Sequence, residues 1–594
     1  MAHRIKDVTP GALTRQTRTA ALAAMSDDEG LDILVIGGGV TGAGIALDAT
    51  TRGLRTGIVE MQDWAAGTSS RSSRLVHGGL RYLYNLDFGL VAEALSERGL
   101  LLEKLAPHLV TAQPFLWPLK TPVVERSYSA VGVGLYDTLA QVGSHGARVP
   151  MQKHYSRAQA LTHFPDLRPD QLVGAIRFYD ARVDDARLVI SLVRTAARFG
   201  AYAASRTQVV SLDRDGERVV GATVMDLETG EQHRIRASRV ISATGVWTED
   251  TERLAGVGED EGLRVLASKG IHLVFDKSRI RGTSGLFLRT EKSVLFIIPW
   301  QRYWVIGTTD TVWEPDRLHP VVTAADIDYV LEHANSVLAS DLTRADVIGS
   351  WAGLRPLLQP ADPTSSTKVS REHAVSELAP GFMVIAGGKL TTYRAMAEDA
   401  VDFALGATVA KQNPSITHET PLVGGSGVAA ARADLQRRAP GLGWTEARVE
   451  HLISRYGSEV GELLQLIEDQ PDLGRSLAAA PAYLRAEAAF AVLREGALHV
   501  EDILLHRIRL AMETPDRGLE AMPEICEVVA PLLGWSADEA AREQSAWRVR
   551  VDAVAAAAGE REDAAAARVR LSAPDLVPLA QTRSPASPRS SAAT

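Results

Sequence analysis

The clearest hydrophobic pattern in the chain lies near its beginning, where two short apolar runs flank an amphipathic segment. Leu31–Ile36 is apolar except for one aspartate, which predicts a buried strand. Ala43–Arg52 carries apolar residues at helical spacing, and Thr56–Val59 predicts a second buried strand. This order of strand, helix and strand is typical of a parallel sheet covered by helices.

Strand-like and helix-like runs continue to alternate as far as about residue 405, which predicts an α/β unit. Further strands are predicted at Gly174–Tyr179, Val219–Asp226, Arg239–Ser242, Ile271–Phe275, Val294–Pro299, Tyr303–Gly307 and Phe382–Ala386. Further helices are predicted at Leu90–Leu105, Asp185–Phe199 and Ala324–Ser340. From about 446 to 554 the apolar residues follow helical spacing throughout, so a separate helical domain is expected there.

These patterns divide the chain into five parts. We expect an N-terminal arm over 1–30, then a discontinuous Rossmann-like unit over 31–405. Interleaved with that unit is a mixed-sheet cap domain for substrate, mainly at about 105–180 and 262–350. A linker over 406–445 and a helical domain over 446–555 follow. Residues 556–594 are rich in Ala, Ser, Pro and Arg, so a disordered tail is predicted.

Composition narrows the function classes. A chain of 594 residues is long enough for two or three domains. The net charge of −9 gives no electrostatic reason to expect nucleic acid as a partner. There is no apolar run of the roughly 18 residues that a membrane span needs, and no signal-peptide core. We therefore expect the chain in the cytoplasm or against the membrane that bounds it.

The chain has a single cysteine, Cys526, which lies among apolar residues. One cysteine excludes an intramolecular disulfide, a dithiol relay and a cysteine-based zinc or iron–sulfur site. Cys526 is therefore expected to be a small buried apolar residue, and no metal site is predicted.

Three glycines directly follow the first predicted strand. Gly37, Gly39 and Gly42 form a G-x-G-x-x-G turn, and Glu60 stands eighteen residues beyond Gly42. Such glycines allow a tight turn, close approach of backbone to a pyrophosphate, and close packing of helix on strand. The carboxylate after the second strand is placed to bind the hydroxyls of an adenosine ribose. The combination predicts a dinucleotide-binding site.

Three further segments favour FAD over NAD. Gly67–Leu83 is rich in hydroxyl groups and contains paired glycines, which suit a phosphate, a ribityl chain and a flat ring. Val240–Trp247 and Ile385–Thr392 are strands that lead into glycine turns, and the second can direct helix N–H groups at a flavin. The cofactor contacts predicted in these segments are Thr68, Ser69, Ser70, Ser73, His77, Gly78, Gly79, Leu80, Gly245, Trp247, Gly388, Lys389, Leu390 and Thr391.

These residues resemble the FAD-dependent glycerol-3-phosphate dehydrogenases of aerobic bacteria and mitochondria. The most specific matches are SSRSSRLVHGGLRYL, which ends at Leu83, and GGKLTTYR at Gly387–Arg394. The other matching segments are Gly37–Gly53, Lys269–Val274, Ile298–Asp310, Trp351–Pro356 and Glu495–Leu510. The resemblance spans about Leu31 to Arg550. One departure is Arg74, where the family more often has lysine, and the charge is kept.

The resemblance implies oxidation of the C2 alcohol of sn-glycerol 3-phosphate to dihydroxyacetone phosphate, with hydride transfer to non-covalently bound FAD. It implies a phosphate clamp of Arg355 and Arg371, with Arg81 and Tyr82 close by. Arginine suits this role because its planar fork binds phosphate oxygens in bidentate fashion. His272 is the expected base or hydroxyl-binding group, since histidine titrates at about pH 6.5.

Two more residues take roles by the same resemblance. Lys389 is expected to stabilise negative charge on the reduced flavin or to contact the substrate. Asp310 is expected to order the loop over the flavin. The predicted catalytic residues are thus His272, Arg355 and Lys389.

The resemblance further implies a membrane quinone as electron acceptor, a peripheral contact with the inner face of the plasma membrane, and a homodimer. Candidate membrane contacts are Leu13–Met25, with a partly ordered arm as the alternative, and Phe115–Lys120, with core packing as the alternative. An amino-acid or amine oxidase on the same fold, and a glycerol-3-phosphate oxidase that uses oxygen, stay open as alternatives. A non-catalytic FAD-holding interaction protein is a third.

Overall fold

The computed structural model describes residues 10–79, 87–121, 134, 136, 149–258, 261–289, 294–359 and 373–581. Within these residues the chain forms two sheets, helices that cover them, and a helical domain with a core of its own. The predicted α/β class with a C-terminal helical domain is confirmed.

The first sheet has eight of the described strands and is parallel at its centre. Leu31–Ile36 lies between Thr56–Val59 and Gln232–Ser242, and both pairings are parallel. The strands are, in spatial order, His373–Ala379, Phe382–Gly387, Gln232–Ser242, Leu31–Ile36, Thr56–Val59 and Tyr202–Ala204. Arg218–Asp226 pairs with Gln232–Ser242, and Thr207–Asp215 pairs with Arg218–Asp226. Leu31–Ile36 and Thr56–Val59 have the bounds that the sequence predicts, because continuous apolar runs suit strands buried on both faces.

The second sheet has ten of the described strands and is mostly antiparallel. Its longest pairing joins Val265–Asp276, which carries His272, to Val347–Leu358, which carries Arg355. The strands are, in spatial order, Thr311–Val312, Val265–Asp276, Tyr303–Gly307, Val294–Pro299, Gly285–Arg289, Val110–Leu119, Gly174–Val183 and Leu75–Val76, with Val347–Leu358 and Lys153–Ser156 paired at the side. The sheet therefore brings distant parts of the sequence to one surface.

Helices of the α/β part cover the sheets. They are Arg15–Met25, Val40–Thr51, Phe88–Leu100, Arg157–His163, Asp185–Arg198, Thr248–Leu254, Ala324–Asn335, Tyr393–Leu405 and Ala407–Gln412. A π-helical turn, Leu101–Leu105, extends Phe88–Leu100 to the end that the sequence predicts. The remaining helices are Val428–Arg438, Glu446–Tyr456, Val460–Asp469, Arg485–Leu493, Val500–Asp502, Leu510–Glu513, Met522–Leu533, Ala537–Ala557 and Asp563–Leu571, with a second π-helical turn at Ile503–Arg507.

No helix in the described ranges is both long and apolar enough to cross a lipid bilayer. Cys526 is 2% exposed in the core of the helical domain, as predicted, and burial raises the pKa of its thiol to about 12.

Buried ion pairs join the helical domain to the first sheet and its helices. Arg507 donates to both carboxylate oxygens of Asp63, at 2.5 and 2.8 Å. Arg187 lies 2.6 Å from Glu495, and Arg206 lies 2.6 Å from Asp502. All six side chains are almost fully buried. Removing one partner from such a pair leaves an uncompensated charge away from water, which is strongly destabilising.

The prediction of a separate N-terminal arm is wrong for residues 10–30, because this segment packs against the core. Helix Arg15–Met25 is held by Arg18, which is 6% exposed and lies 2.6 Å from Asp226. Leu22 and Met25 pack into the core beside the first sheet. Phe115–Lys120 is also largely buried, since Phe115 and Leu116 have no exposed surface. Both candidate membrane segments thus face the protein core.

The disordered tail is likewise wrong for residues 556–581, while 582–594 lie outside the described residues. Helix Ala537–Ala557 is followed by an ordered segment, 558–581, that we call the C-terminal strap. It contains helix Asp563–Leu571 and forms an ion pair between Lys269 and Asp563. The strap has few bulky apolar residues among its many alanines and charged residues, and it is held by tertiary contacts that its composition does not show. The segment expected as a linker, 406–445, contains helices Ala407–Gln412 and Val428–Arg438.

Candidate active site

A cavity of about 810 Å³ lies where the first and second sheets meet. We call the part lined by Gly37, Glu60 and Gln208 of the first sheet and its turns the Glu60 end, and the part lined by His272 and Arg355 of the second sheet the His272 end. The predicted site residues that line the cavity are Gly37, Gly39, Glu60, Thr68, Ser69, Ser73, His77, Gly79, Gly245, Trp247, His272, Asp310, Arg355, Gly388, Lys389, Leu390 and Thr391.

Three of the predicted cofactor contacts lie behind the cavity wall. Gly42 packs against the turn itself, because a Cβ there would lie 1.9 Å from the carbonyl oxygen of Gly37. The Ser70 hydroxyl is buried and has no hydrogen-bond partner among the described residues. The N–H of Gly78 donates to the Tyr136 hydroxyl at 2.8 Å. Leu80, Arg81, Tyr82 and Arg371 lie outside the described residues.

The glycine turn at the Glu60 end requires its glycines for steric reasons. Gly37 has φ +111°, and a Cβ there would lie 2.6 Å from the carbonyl oxygen of Ala243. Gly39 is the N-cap of helix Val40–Thr51 and has no side chain to cap it. Since the first N–H groups of a helix have no partner within it, the turn presents donors and a positive dipole end to the cavity. This cradle fits the diphosphate of a dinucleotide.

Glu60 is fixed by backbone donors on both sides. Its Oε2 accepts the N–H of Gly38 at 2.6 Å, and its Oε1 accepts the N–H of Gln62 at 2.7 Å. Burial raises the pKa of Glu60, although these two hydrogen bonds act to lower it. Carboxylate oxygens have further lone pairs, so the group can still accept from ribose hydroxyls.

The hydroxyl-rich segment that begins at Gly67 lies between the two ends. It forms more hydrogen bonds to other parts of the chain than its sequence suggests. Thr68 donates to the carbonyl of Leu354 at 2.5 Å, and Ser69 accepts the N–H of Val40 at 2.9 Å. His77 and Thr391 are tied together, because the His77 N–H donates to the Thr391 hydroxyl at 3.1 Å. The segment thus links the first sheet to the second and fixes the middle of the cavity.

His272 is a buried imidazole with aromatic and hydroxyl neighbours. It is 2% exposed, stacks on Trp351 with ring centroids 5.0 Å apart, and places Nε2 2.9 Å from the Ser73 hydroxyl. Its Nδ1 has no hydrogen-bond partner among the described residues. The pKa of His272 lies well below the ordinary value because burial and the positive charges of Arg355 and Arg74 disfavour the imidazolium. The ring is therefore neutral at physiological pH and able to accept a proton.

Arg355 is positioned by the loop that follows strand Tyr303–Gly307. Its guanidinium lies 3.1 Å from Asp310 and donates to the Thr308 hydroxyl at 2.9 Å and to the Thr309 carbonyl at 3.1 Å. Asp310 also accepts from Ser268 at 2.5 Å. The side chain of Arg355 is 23% exposed, so a partly desolvated cation faces the His272 end.

Sequence reasoning missed several residues around this site. Asp180 lines the cavity and accepts hydrogen bonds from Tyr136 at 2.5 Å and from Arg98 at 2.7 Å. Arg71 also lines it, and burial lowers the pKa of its guanidinium to about 10. Arg71 lies inside the matched motif, so the sequence could have indicated it as a site residue through its charge. The sequence gives no such indication for Asp180, because its partners are distant along the chain.

Arg74, noted above only for replacing lysine, supports His272 from behind. Its guanidinium lies 4.7 Å from the ring of Trp351, on which His272 stacks, and donates to the Tyr303 hydroxyl at 2.6 Å. Arg74 is 2% exposed and does not line the cavity. It therefore acts on the site through its charge and through Trp351.

The fold and this cavity define a flavin-dependent oxidoreductase. Residues 32–400 match the family described as FAD dependent oxidoreductase, and residues 415–540 match the C-terminal domain of alpha-glycerophosphate oxidase. The chain is 48% identical to the glycerol-3-phosphate dehydrogenase of Mycobacterium leprae (strain TN), over 95% of both chains. It is also 48% identical to glycerol-3-phosphate dehydrogenase 2 of Mycobacterium tuberculosis (strain ATCC 25618 / H37Rv), over 92% of both.

A solved structure shows the same architecture. The glycerol-3-phosphate dehydrogenase from Bacillus halodurans, complexed with FAD, superposes with a TM-score of 0.73 at 30% identity, covering 91% of this chain and 98% of that one. The chain belongs to the FAD-dependent glycerol-3-phosphate dehydrogenase family, and its cofactor is FAD.

Proposed function

We propose that this chain oxidises the C2 alcohol of sn-glycerol 3-phosphate to the ketone of dihydroxyacetone phosphate. FAD supplies the hydride acceptor for this reaction. The observation that carries the proposal is that a neutral, buried histidine and an arginine converge at one end of the cavity, while a dinucleotide cradle forms the other. The names of the similar dehydrogenases support the same substrate.

The cofactor is held chiefly by backbone at the Glu60 end. We assign the diphosphate to the turn at Gly37 and Gly39, which lines the cavity at the start of helix Val40–Thr51. Glu60 receives the ribose hydroxyls. Gly388, with φ +78°, lets the loop before helix Tyr393–Leu405 approach the flavin, and a Cβ there would lie 2.3 Å from the sulfur of Met396.

The substrate phosphate is assigned to Arg355. Contacts with Thr308, Thr309 and Asp310 fix the plane of its guanidinium, so little side-chain entropy is lost when phosphate binds. Lys389 lines the same cavity and adds a second cation there. Two cations suit a substrate that carries nearly two negative charges.

His272 receives the proton of the C2 hydroxyl. Its Nε2 faces the Ser73 hydroxyl, which lines the cavity, so Nε2 is the atom we assign to this step. Burial, with the charges of Arg355 and Arg74, keeps the imidazole neutral in the free protein by lowering its pKa. A bound phosphate dianion offsets that charge, so the imidazolium that forms is stabilised when substrate is present.

An anaerobic absorbance titration tests the reaction. Stoichiometric sn-glycerol 3-phosphate should bleach the visible band of the oxidised flavin, whereas the enantiomer and glycerol should not. Bleaching by an amino acid or amine instead would replace the proposal by the oxidase alternative. A flavin band that no alcohol or amine bleaches would support an FAD-holding interaction protein.

The phosphate assignment has a separate test. Arg355→Leu should lower kcat/KM by about 10²–10³-fold, because the phosphate loses a charge-assisted bidentate partner. Arg355→Lys keeps the charge but loses the fork, so it should fall between that variant and the wild type. Arg344→Leu, which removes a surface ion pair with Asp328, is the matched control. An unchanged KM and kcat in Arg355→Leu would move the phosphate elsewhere.

The electron acceptor is proposed to be a membrane quinone, with a peripheral contact to the inner membrane face and a homodimeric assembly. The similar proteins named as dehydrogenases support a non-oxygen acceptor, whereas the match of 415–540 to an oxidase domain favours oxygen as the second candidate. Reoxidation of the reduced protein by a soluble quinone analogue, set against air, decides between them. Flotation with liposomes and sedimentation velocity test the membrane contact and the dimer.

A further inference from the structure

The C-terminal strap, residues 558–581, runs across the second sheet towards the first. Near its start the Glu560 carbonyl accepts the N–H of Ala324 at 2.7 Å, and Asp563 pairs with the buried Lys269. Further along, Asp575 lies 2.9 Å from Nε2 of His319. These contacts are spread over sixteen residues of strap, from Glu560 to Asp575, so the whole segment is fixed rather than one point of it.

Apolar contacts fasten the strap beside the cofactor cavity. Ala566 and Ala567 are at most 4% exposed and pack in one cluster with Trp313 and Val246. Val246 lines the cavity itself, and Leu354 of the same cluster accepts the hydrogen bond of Thr68. The strap therefore supports the outer side of the cavity wall.

The end of the strap reaches the Glu60 end of the cavity. The Ala580 N–H donates to Oε1 of Gln208 at 2.8 Å, and Nε2 of Gln208 donates to the Ala580 carbonyl at 3.2 Å. Gln208 is 7% exposed, and its neighbour Thr207 donates its N–H to the Glu60 carbonyl at 2.7 Å. Leu579 and Ala580 line the cavity together with Glu60 and Gln208. The strap thus forms part of the wall next to the carboxylate that we assign to ribose.

We propose that Leu579 and Ala580 close the cofactor cavity over the adenosine half of FAD, so that FAD leaves only after the strap end has separated from Gln208. FAD binding and docking of the strap then stabilise each other, because a ligand that contacts the docked form shifts the equilibrium towards it. The proposal depends on the cofactor alone and holds whichever substrate is oxidised.

Two truncations give the most direct test. A chain ending at 581 keeps every strap contact, whereas a chain ending at 578 loses Leu579 and Ala580 but keeps Asp575 and helix Asp563–Leu571. FAD dissociation is followed by the rise of free flavin fluorescence after dilution. We expect about tenfold faster release from 1–578, the effect of losing two hydrogen bonds and an apolar cover. The 1–581 chain should match the full chain, and equal rates for 1–578 and 1–581 would overturn the proposal.

Gln208→Glu checks the same contact in the full chain. The carboxylate still accepts from the Ala580 N–H but repels its carbonyl, so FAD release should again accelerate. Gln232→Glu, at an exposed position of the first sheet, makes the same charge change and should have no effect. In the 1–578 chain Gln208→Glu should add nothing, because its partner is already absent. Full additivity there would mean that Gln208 acts on FAD without the strap, and would overturn the proposal.

Binding experiments on flavin-free protein show which half of the cofactor site the truncation affects. ADP, a probe of the adenosine half, should bind more weakly to 1–578 than to 1–581, whereas FMN should bind both equally. Hydrogen exchange of the peptide that contains Ala580 should slow when FAD is added to the full chain. Weakened FMN binding with unchanged ADP binding, or exchange that ignores FAD, would contradict the assignment.

Discussion

The Glu60 end and the His272 end of the cavity are built by different means. At the Glu60 end the turn is backbone, and a Cβ at Gly37 or Gly42 would lie 2.6 or 1.9 Å from a carbonyl oxygen. At the His272 end the chemistry is carried by side chains whose charges are set by burial and by neighbours: burial lowers the pKa of His272, and Arg355 and Arg74 lower it further. The Glu60 end therefore depends on the shape of the backbone, and the His272 end depends on the electrostatics of its side chains.

The difference predicts which property each substitution changes. A change at the Glu60 end should affect cofactor content and stability, and with them every activity at once. A change at the His272 end should leave the flavin in place and alter kcat, KM or the pH profile.

Gly42→Ala should have the largest effect. The new methyl group would meet the Gly37 carbonyl, a backbone atom that cannot move without opening the turn. We expect protein that is insoluble or lacks FAD, as measured by the flavin-to-protein absorbance ratio. Gly461→Ala is the control, since a Cβ in that helix meets nothing within 4 Å and should be neutral or stabilising by about 1 kcal/mol. A Gly42→Ala protein with a full flavin complement would break the comparison.

His272→Gln should lower kcat by about 10²–10⁴-fold, the usual effect of removing a general base. Flavin content should stay unchanged, because His272 belongs to the second sheet. Rapid anaerobic mixing with sn-glycerol 3-phosphate measures the rate of flavin bleaching directly. His233→Gln, on a strand of the first sheet away from the cavity, is the matched control. Loss of flavin in His272→Gln would show that the two ends are not separable.

Arg74→Gln should change the pH profile more than the maximal rate. Removing this cation favours the imidazolium, so the pKa of His272 rises and the acidic fall of kcat moves to higher pH by up to about one unit. Arg74→Lys keeps the charge and should leave the fall where it is. The titration of the substrate phosphate is the same in both variants, so it cancels in the comparison. Identical profiles for the Gln and Lys variants would show that the charge of Arg74 does not set the pKa of His272.

Ser73→Ala should have the smallest effect. It removes one hydrogen bond to Nε2 of His272, worth about 1 kcal/mol, so kcat should fall about fivefold with flavin content unchanged. Ser336→Ala, whose hydroxyl bonds a carbonyl in its own helix at an exposed position, controls for the loss of a hydroxyl. A fall as large as that of His272→Gln would give Ser73 itself the proton-transfer role.

The same contrast explains what the sequence could predict. Leu31–Ile36, Thr56–Val59 and the turn between them follow from local pattern, because glycine sterics and buried strands depend on neighbours in sequence. The mixed sheet around His272 was predicted in parts, whereas the pairing of Val265–Asp276 with Val347–Leu358 leaves no local signal. His272 and Arg355 were chosen through the family resemblance. The charges that set their state could only be known from the fold.

The C-terminal strap marks where local pattern fails. Its helix, Asp563–Leu571, is rich in alanine and has no bulky apolar stripe, so composition predicts disorder. It is ordered because Ala566 and Ala567 pack in one cluster with Trp313 and because Asp563 joins Asp326 as a partner of the buried Lys269. Small residues that fit a surface cannot be told from small residues that fit nothing until that surface is known.

Three buried ion pairs limit how this gene can recombine. They join Asp63 to Arg507, Arg187 to Glu495 and Arg206 to Asp502. The two family matches meet between residues 400 and 415, yet each pair has one member on either side of that boundary. A recombination event that exchanged one part for a distant counterpart would strand charges away from water on both sides of the join. We therefore expect such an exchange to destabilise the fold unless the new part carries the matching member of each pair.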